Sequence, residues 1–357
     1  MSRYLIPLSL SASLLAGTAM ADVPRVAVDI APVHSLVTRV MEGLGAPSLI
    51  VQPGASPHEY SLRPSEAQAL QDADLVFWVG EDLTPWMEES IETLADGAEV
   101  TTLLDADGTV LLEFREGALF EAHAHGDEDH ADDHDHEAHS EGGQGDHDHE
   151  EHEDDDTHAH AKHAEGDGHD HEEHAEADGH DHDHAHGAHD PHAWLSPENA
   201  ANWLNVIAAQ LSAADPDNAG AYFANAAAAR EEIVTLSDEV NAILDPVRDG
   251  RFIVFHDGYH YFETAFDFPA SGAISLSDAS DPSPARIAEI QGRIADESIQ
   301  CVLSEPQFNS GLVATVMEGA DAKTSVLDPL GSNLETGAGL YPQLLRNLAR
   351  SLADCLS

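Results

Sequence analysis

The sequence predicts an α/β protein with two lobes, each a parallel sheet flanked by helices, joined by one long rigid helix. Short apolar runs alternate with segments of helical periodicity, which is the pattern of strands connected by helices in a parallel sheet. This alternation occurs twice along the 357 residues. Between the two series lies an alanine-rich helical pattern. It is rich in Ala, Leu, Ile and Glu rather than in the Gly and Ser of a flexible linker, and therefore predicts a rigid strut.

The first lobe is expected to contain four strands and three helices. Pro53-Gly54 stops the second strand and Gly80 stops the third, because these residues interrupt extended structure. Pro64 favours a helix start, since the first helical turn needs no N–H donor at that position. Strands are predicted at residues 26–30, 49–51, 75–79 and 100–104, and helices at residues 34–44, 64–72 and 84–94.

The connecting region and the second lobe follow the same reasoning. Ser196 and Pro197 are suited to the N-cap and first turn of a helix at residues 197–212. Residues 216–244 can form a helix of roughly 40 Å at 1.5 Å per residue. In the second lobe, strands are predicted at residues 252–255, 273–276, 301–303 and 325–327, and helices at residues 259–266, 285–296, 312–319 and 341–352.

The expected divisions of the chain follow from these elements. Residues 22–120 begin the N-terminal lobe, residues 190–215 complete it, residues 216–246 form the linker helix and residues 247–357 form the C-terminal lobe. Residues 121–189 are an insert that holds 20 of the 25 histidines, many carboxylates and no large apolar side chain. Such a segment cannot bury enough apolar surface to fold, so it is expected to be disordered.

The charge of the chain argues against one class of partner. There are 68 acidic residues against 14 Lys and Arg, which gives a formal net charge of -54. Nucleic-acid binders need a basic surface that displaces counterions from phosphates. The composition therefore excludes a conventional nucleic-acid partner and favours cationic ligands.

Residues 1–21 have the features of a cleaved secretory signal peptide. Arg3 supplies the positive start, residues 4–16 are mostly apolar, and Ala19-Met20-Ala21 matches a small-x-small cleavage site. The apolar stretch is too short and serine-rich for a membrane anchor, which needs ~20 mainly apolar residues. The mature protein is expected in a bacterial periplasm, exported and not inserted in the membrane.

The chain has two cysteines, Cys301 and Cys355. The periplasm is oxidising, so the two can pair. A bridge between them would attach the last helix of the chain to the second sheet. Two free thiols are the alternative.

Repeated His-Asp-His units in the insert predict additional, weaker metal sites. Such units can chelate zinc without a fixed fold, and their tether keeps the metal close to the folded lobes. The alternative is an acidic loop that only aids solubility. The candidate ligands are His147, His149, His180, His182, His184 and His186.

Three histidines outside the insert lie where ligands of α/β sheets bind, beyond the carboxyl ends of strands. His58 follows the second predicted strand, and His256 directly follows the first strand of the second lobe. His192 lies between the insert and a helix start. A lone histidine is usually structural. Three at loop positions, in a secreted chain with a histidine-rich tract, favour a metal site.

Around these histidines the chain resembles the periplasmic zinc-binding components of bacterial ABC importers, the ZnuA-like members of the cluster A-I metal-binding family. The similarity is distributed from residue 22 to the end. Five ordered motifs carry it: PHEYSLRPS at residues 57–65, DPHAWLSP at 190–197, FHDGYHYF at 255–262, CVLSEPQF at 301–308 and LDPLG at 327–331.

The resemblance implies two pseudo-symmetric lobes with a metal ion in the cleft between them. His58, His192 and His256 would bind Zn²⁺, and imidazole ligands suit zinc better than manganese. The implied function is zinc capture for an integral-membrane permease, powered by a separate cytoplasmic ATPase. The protein would act as a monomer and would not be an enzyme.

The fourth zinc ligand is left open by the sequence. Some zinc members of the family have an acidic residue before the first histidine, where this chain has Pro57. Asp328 matches a carboxylate ligand of manganese members, so Asp328, Glu59 and water are all candidates. Glu59, Asp257 and Glu305 can instead accept a hydrogen bond from a ligating imidazole.

The chain has two more histidines outside the insert, His34 and His260, and three other functions are open to it. His34 and His260 are expected to be structural or to support the ligands. The spacing of His256 and His260 resembles a zinc protease motif, but Gly258 disfavours a helix and no catalytic Glu lies between them. The alternative functions are a manganese or iron importer component, a secreted zinc hydrolase, and a periplasmic zinc buffer or adhesin.

Overall fold

The computed structural model describes residues 23–115, 120, 189–275 and 282–357. The proposed signal peptide lies outside the described residues. So do the six insert histidines from His147 to His186. In the described part of the chain, no helix is long and apolar enough to cross a membrane.

The N-terminal lobe is a four-stranded parallel sheet with the strand order β2-β1-β3-β4. Its strands are β1 (Val26–Val28), β2 (Ser48–Leu49), β3 (Leu75–Trp78) and β4 (Glu99–Thr102). Its connecting helices are α1 (Ala31–Val40), α2 (Pro64–Gln71) and α3 (Pro85–Leu94). Each of these helices has a proline in its first turn, where the missing N–H costs no helical hydrogen bond.

The C-terminal lobe repeats this topology, with the order β6-β5-β7-β8 and parallel pairing throughout. Its strands are β5 (Phe252–His256), β6 (Ala273–Ser275), β7 (Cys301–Ser304) and β8 (Lys323–Val326). Its helices are α6 (His260–Phe266), α7 (Pro284–Asp296), α8 (Ser310–Val316) and α9 (Leu340–Leu356). The prediction of two pseudo-symmetric α/β lobes is therefore confirmed.

The region between the sheets contains α4 (Pro197–Ala214) and α5 (Ala219–Leu244). The Ser196 hydroxyl accepts a hydrogen bond from the Asn199 N–H and so caps α4. Residues 216–218 form a short 3₁₀ turn, so the long helix begins three residues later than the sequence suggested. Helix α5 packs against α1 and α4 of the N-terminal lobe and against α9 of the C-terminal lobe, so it contacts both lobes.

One hydrophobic core runs through both lobes and the helices between them. Strand residues alternate between this shared core and the outer faces of the sheets, because successive side chains point to opposite faces. In β5, Phe252 and Val254 belong to the shared core, whereas Ile253 and Phe255 pack in a separate outer cluster. The two lobes are thus joined by apolar packing as well as by α5.

The expected disulfide is confirmed. Cys301 and Cys355 are bonded, with their Cα atoms 5.9 Å apart. The bond links the first residue of β7 to the end of α9. Cys301 also pairs with Phe252 in the sheet, so the C-terminal helix is attached to the strand next to the one that ends at His256.

Candidate metal centre

His192 is held rigidly at the end of the loop that precedes α4. It is 5% exposed and lies just before a 3₁₀ turn at Ala193–Leu195. The Asp190 carboxylate accepts a 2.9 Å hydrogen bond from the His192 backbone N–H and contacts the ring Nδ1 at 2.7 Å. Because a carboxylate only accepts, Nδ1 carries the proton and Nε2 presents its lone pair.

His256 has the same arrangement in the other lobe. It is the last residue of β5 and is 2% exposed. Its Nδ1 lies 2.6 Å from Oε1 of Glu305, which follows β7 in the same sheet. This carboxylate also fixes the tautomer, so Nε2 of His256 presents its lone pair.

The two rings meet across the cleft. Their Nε2 atoms are 3.2 Å apart and their centroids 5.0 Å apart. Two nitrogens on one tetrahedral zinc, each at 2.0–2.1 Å, are separated by about 3.3 Å. With both Nδ1 atoms on carboxylates, two lone pairs face each other, an arrangement that a cation between them stabilises. Each half of the pair also has the carboxylate–histidine pairing typical of metal ligands.

His58 lies on the loop after β2, beside the same pair. Its ring centroid is 5.6 Å from that of His192. Its backbone N–H donates to the Ser56 hydroxyl at 3.3 Å, and Trp86 donates from its indole to the Pro57 carbonyl at 2.7 Å. Tyr60 is fixed by a 2.9 Å bond to Glu66. These anchors on both sides of His58 hold its loop against the cleft.

The structure brings the three histidines together but not into complete coordination geometry. Among the described residues, no three His, Cys, Asp or Glu side chains are already spaced as ligands of one ion. A third ring can join the His192–His256 pair only if His58 moves closer. Ser56, His192, His256, Gln307 and other residues line a small cavity of about 10 Å³. That is roughly the room that one water molecule needs.

Asp328, the candidate fourth ligand, is occupied by its own loop. Its carboxylate accepts hydrogen bonds from the backbone N–H groups of Leu330, Gly331 and Ser332 at 3.1, 3.1 and 2.6 Å. It also accepts from the Gln307 amide at 3.2 Å. With this many donors the carboxylate needs no metal to satisfy it, and Asp328 does not line the cavity.

The other candidate residues have different environments. Glu59 is exposed. The His34 ring contacts the Pro47 carbonyl at 3.1 Å, and burial lowers its pKa. His260 begins α6 and is half-buried. Trp194 is buried and donates its indole N–H to the Pro329 carbonyl at 2.9 Å.

Asp257, adjacent to His256, belongs to a buried ion-pair network at the base of the insert. Arg115 donates from Nε to Asp257 at 2.9 Å and from Nη1 to Glu263 at 2.7 Å. Burial alone would lower the pKa of the guanidinium, but the bonds to Glu263 and Asp257 raise it, so the charge is firmly retained. The segments entering and leaving the insert also pair through an isolated bridge between Glu113 and His189.

Sequence reasoning missed three residues of this centre. Asp190 could have been recognised by its position two residues before His192. Gln307 and Arg115 carried no local signal, because their partners are 21 and 142 residues away.

Comparison with known proteins shows the family. The family model described as "ZnuA: Zinc-uptake complex component A periplasmic" matches residues 26–355. The chain belongs to the ZnuA family. The three candidate histidines and both supporting carboxylates lie within the matched region.

The relatives are similar over nearly their whole length. A protein of Brucella suis named high-affinity zinc uptake system protein ZnuA is 45% identical over 93% of this chain and 91% of its own. A Paracoccus denitrificans protein of the same name is 45% identical over 98% of both chains. A crystal structure of ZnuA has a TM-score of 0.66 at 20% identity, covering 94% of this chain and all of the other. The Pseudomonas aeruginosa protein FpvC, in complex with Mn²⁺, has a TM-score of 0.67 at 19% identity, covering 94% and 98%.

Proposed function

We propose that this protein captures Zn²⁺ in the periplasm and delivers it to an ABC-type importer. The observation that carries the proposal is the buried pair of His192 and His256. Each ring is held by a carboxylate on Nδ1, and the two Nε2 atoms lie 3.2 Å apart. That arrangement has the spacing and the protonation state that a zinc ion requires. The names of the relatives support the choice of cargo.

His58, His192 and His256 are the three protein ligands in this proposal. His58 completes the set when its imidazole moves toward the pair. Three neutral imidazoles favour zinc over manganese, which prefers carboxylate and carbonyl oxygen. Because the loop donors occupy Asp328, a water molecule is preferred over this carboxylate as the fourth ligand.

The cargo is bound and passed on without chemical change. The partners are an integral-membrane permease and a separate cytoplasmic ATPase. Residues 1–21 direct export to the periplasm and are then cleaved. The protein acts as a monomer and is not an enzyme. Residues 121–189 bind further zinc ions more weakly, through their repeated His-Asp-His units.

Zinc titration with chelator competition tests the proposal. The tryptophan fluorescence reports on the cleft, because the Trp194 ring centroid is 5.2 Å from that of His192 and residues 121–189 contain no tryptophan. The parent should show one tight step and several weak ones. The triple variant His58→Ala, His192→Ala, His256→Ala should lose only the tight step. A variant in which a short Gly-Ser linker replaces residues 122–185 should lose only the weak steps.

Each result has a clear alternative meaning. A tight step that survives the triple variant would place the main site outside the cleft. A tight step that disappears with the insert would make the protein a zinc buffer rather than a cleft-binding carrier. Competitive loading with equal Zn²⁺ and Mn²⁺ tests the choice of metal, and preferential loading of manganese would contradict it.

A further inference from the structure

Gln307 lines the cavity, and the two polar ends of its side chain have different surroundings. It lies three residues after β7 and is half-buried. Its Nε2 donates to Asp328 Oδ1 at 3.2 Å and to the Ser332 hydroxyl at 2.9 Å. Because the Asp328 carboxylate only accepts hydrogen bonds, it fixes which end of the amide faces it. The carbonyl end must therefore point away from Asp328.

The carbonyl oxygen has no such partner. Oε1 of Gln307 is buried and accepts no hydrogen bond from the described residues. Buried polar groups are nearly always paired, and an unpaired one in a native structure calls for a ligand or a water. Gln307 lines the same small cavity as His192 and His256. A donor bound at the two Nε2 atoms would therefore lie near this acceptor.

We propose that Gln307 is the positioning residue for the fourth zinc ligand, a water molecule that donates one hydrogen bond to Oε1. The inference rests on the proposed zinc function and deepens it. The Asp328–Ser332 loop fixes the amide plane through Nε2, so the acceptor is in place before metal arrives. Preorganised groups of this kind raise affinity because they need no ordering on binding.

The chemistry of an amide has two consequences for the bound water. Its carbonyl accepts a hydrogen bond but cannot take a proton, so it does not convert the water into a hydroxide nucleophile. Its partial negative charge also opposes replacement of the water by an anion. Gln307 thus favours a site that binds and releases zinc over one that catalyses hydrolysis.

The test uses the full chain loaded with Zn²⁺ or Co²⁺ and two readouts. Zinc affinity is measured from tryptophan fluorescence with a competing chelator. Azide binding is measured from the visible absorption of Co²⁺, with a His192→Ala, His256→Ala variant as the blank for insert-bound metal. Gln307→Leu should weaken zinc binding about 10- to 100-fold, the usual cost of losing a group that supports a metal ligand. It should also bind azide at least tenfold more tightly than the parent.

Two further variants separate the carbonyl end of the amide from its anchoring end. Ser332→Ala removes one of the two anchors of Nε2 but keeps Oε1 and the bond to Asp328, so its effects on zinc and azide binding should be clearly smaller than those of Gln307→Leu. Gln307→Glu restores an acceptor of the same length and should exclude azide again. Gln307→Met serves in place of the leucine variant if that protein does not fold.

The outcomes distinguish this inference from the function on which it rests. If Gln307→Leu and Gln307→Met leave both readouts unchanged, Gln307 does not position the water. If Ser332→Ala changes them as much as Gln307→Leu does, the role is only to hold the loop. If the parent shows no tight step that depends on His192 and His256, the proposed function itself fails.

Discussion

The Nε2 atoms of His192 and His256 lie 3.2 Å apart, although 64 residues and two different lobes separate these residues in the chain. Each ring is aimed by a carboxylate behind it, from Asp190 in one lobe and Glu305 in the other. The two lobes therefore meet where two imidazole nitrogens are oriented to bind a cation.

The carboxylates behind the two rings should set zinc affinity. Glu305→Gln and Asp190→Asn keep the shape of each side chain. Because an amide can donate as well as accept a hydrogen bond, it no longer fixes the proton of the histidine on Nδ1. Each change should weaken zinc binding by about 10- to 100-fold. Chelator competition on the tight step measures it, with Glu318→Gln, an exposed site, as the matched control. Unchanged affinity in both variants would show that the carboxylates do not orient the ligands.

Gly258 should be required for the position of the His256 ring. A Cβ placed on this glycine would overlap the imidazole, with Nε2 as the nearest atom. Gly258→Ala should therefore displace the ring and weaken zinc binding strongly, with a smaller effect on metal-free stability. Gly292→Ala is the control, since open space surrounds that glycine in the middle of α7. Zinc binding by Gly258→Ala equal to that of the parent would argue against His256 as a ligand.

Arg115 should stabilise the base of the insert. Its guanidinium pairs with Asp257 and Glu263, whose side chains are 5% and 4% exposed. Arg115→Met leaves both carboxylates buried without that partner and should cost about 3–5 kcal/mol of unfolding free energy. Arg25→Met, which breaks an exposed pair with Asp74, should cost less than about 1 kcal/mol. Urea unfolding of the metal-free proteins measures both losses of unfolding free energy. Equal losses in Arg115→Met and Arg25→Met would contradict the role of burial.

Asp29 should make stability depend on pH in the N-terminal lobe. Burial raises the pKa of its carboxyl to about 7, even though the N–H groups of Val79 and Ile30 donate to it. Between pH ~4, near the unfolded pKa, and that folded value, the folded state holds a proton that the unfolded state has lost. The contribution of Asp29 to stability is therefore present at low pH and is lost as pH rises toward 7.

Thermal unfolding of the parent and Asp29→Asn, both metal-free, tests this expectation. The advantage of the parent should be largest below about pH 4, should shrink from there up to about pH 7 and should then level off. Subtracting the two curves cancels the titration of the other groups. A difference that stays constant from pH 5 to pH 8 would mean that Asp29 is ionised throughout.

The order of strands and helices could be read directly from the sequence. Strand and helix periodicity are local properties, and residues 252–256 or 75–78 show them within a few positions. The pairing of Cys301 with Cys355 followed from the expected compartment. Boundaries such as the 3₁₀ turn at Pro216–Asn218 were not predicted, because a single turn has no periodicity to detect.

By itself, the sequence determined the repeated α/β plan, the acidic histidine-rich insert and three histidines at the ends of strands or loops. Only the tertiary structure decided which groups surround those histidines. His192, His256 and the loop that carries Glu305 and Gln307 come from three segments far apart in the chain, yet His192 contacts His256 at 3.2 Å and both histidines line one cavity with Glu305 and Gln307. Their proximity depends on packing the two lobes around α5. That packing is collective, so no short stretch of residues encodes it.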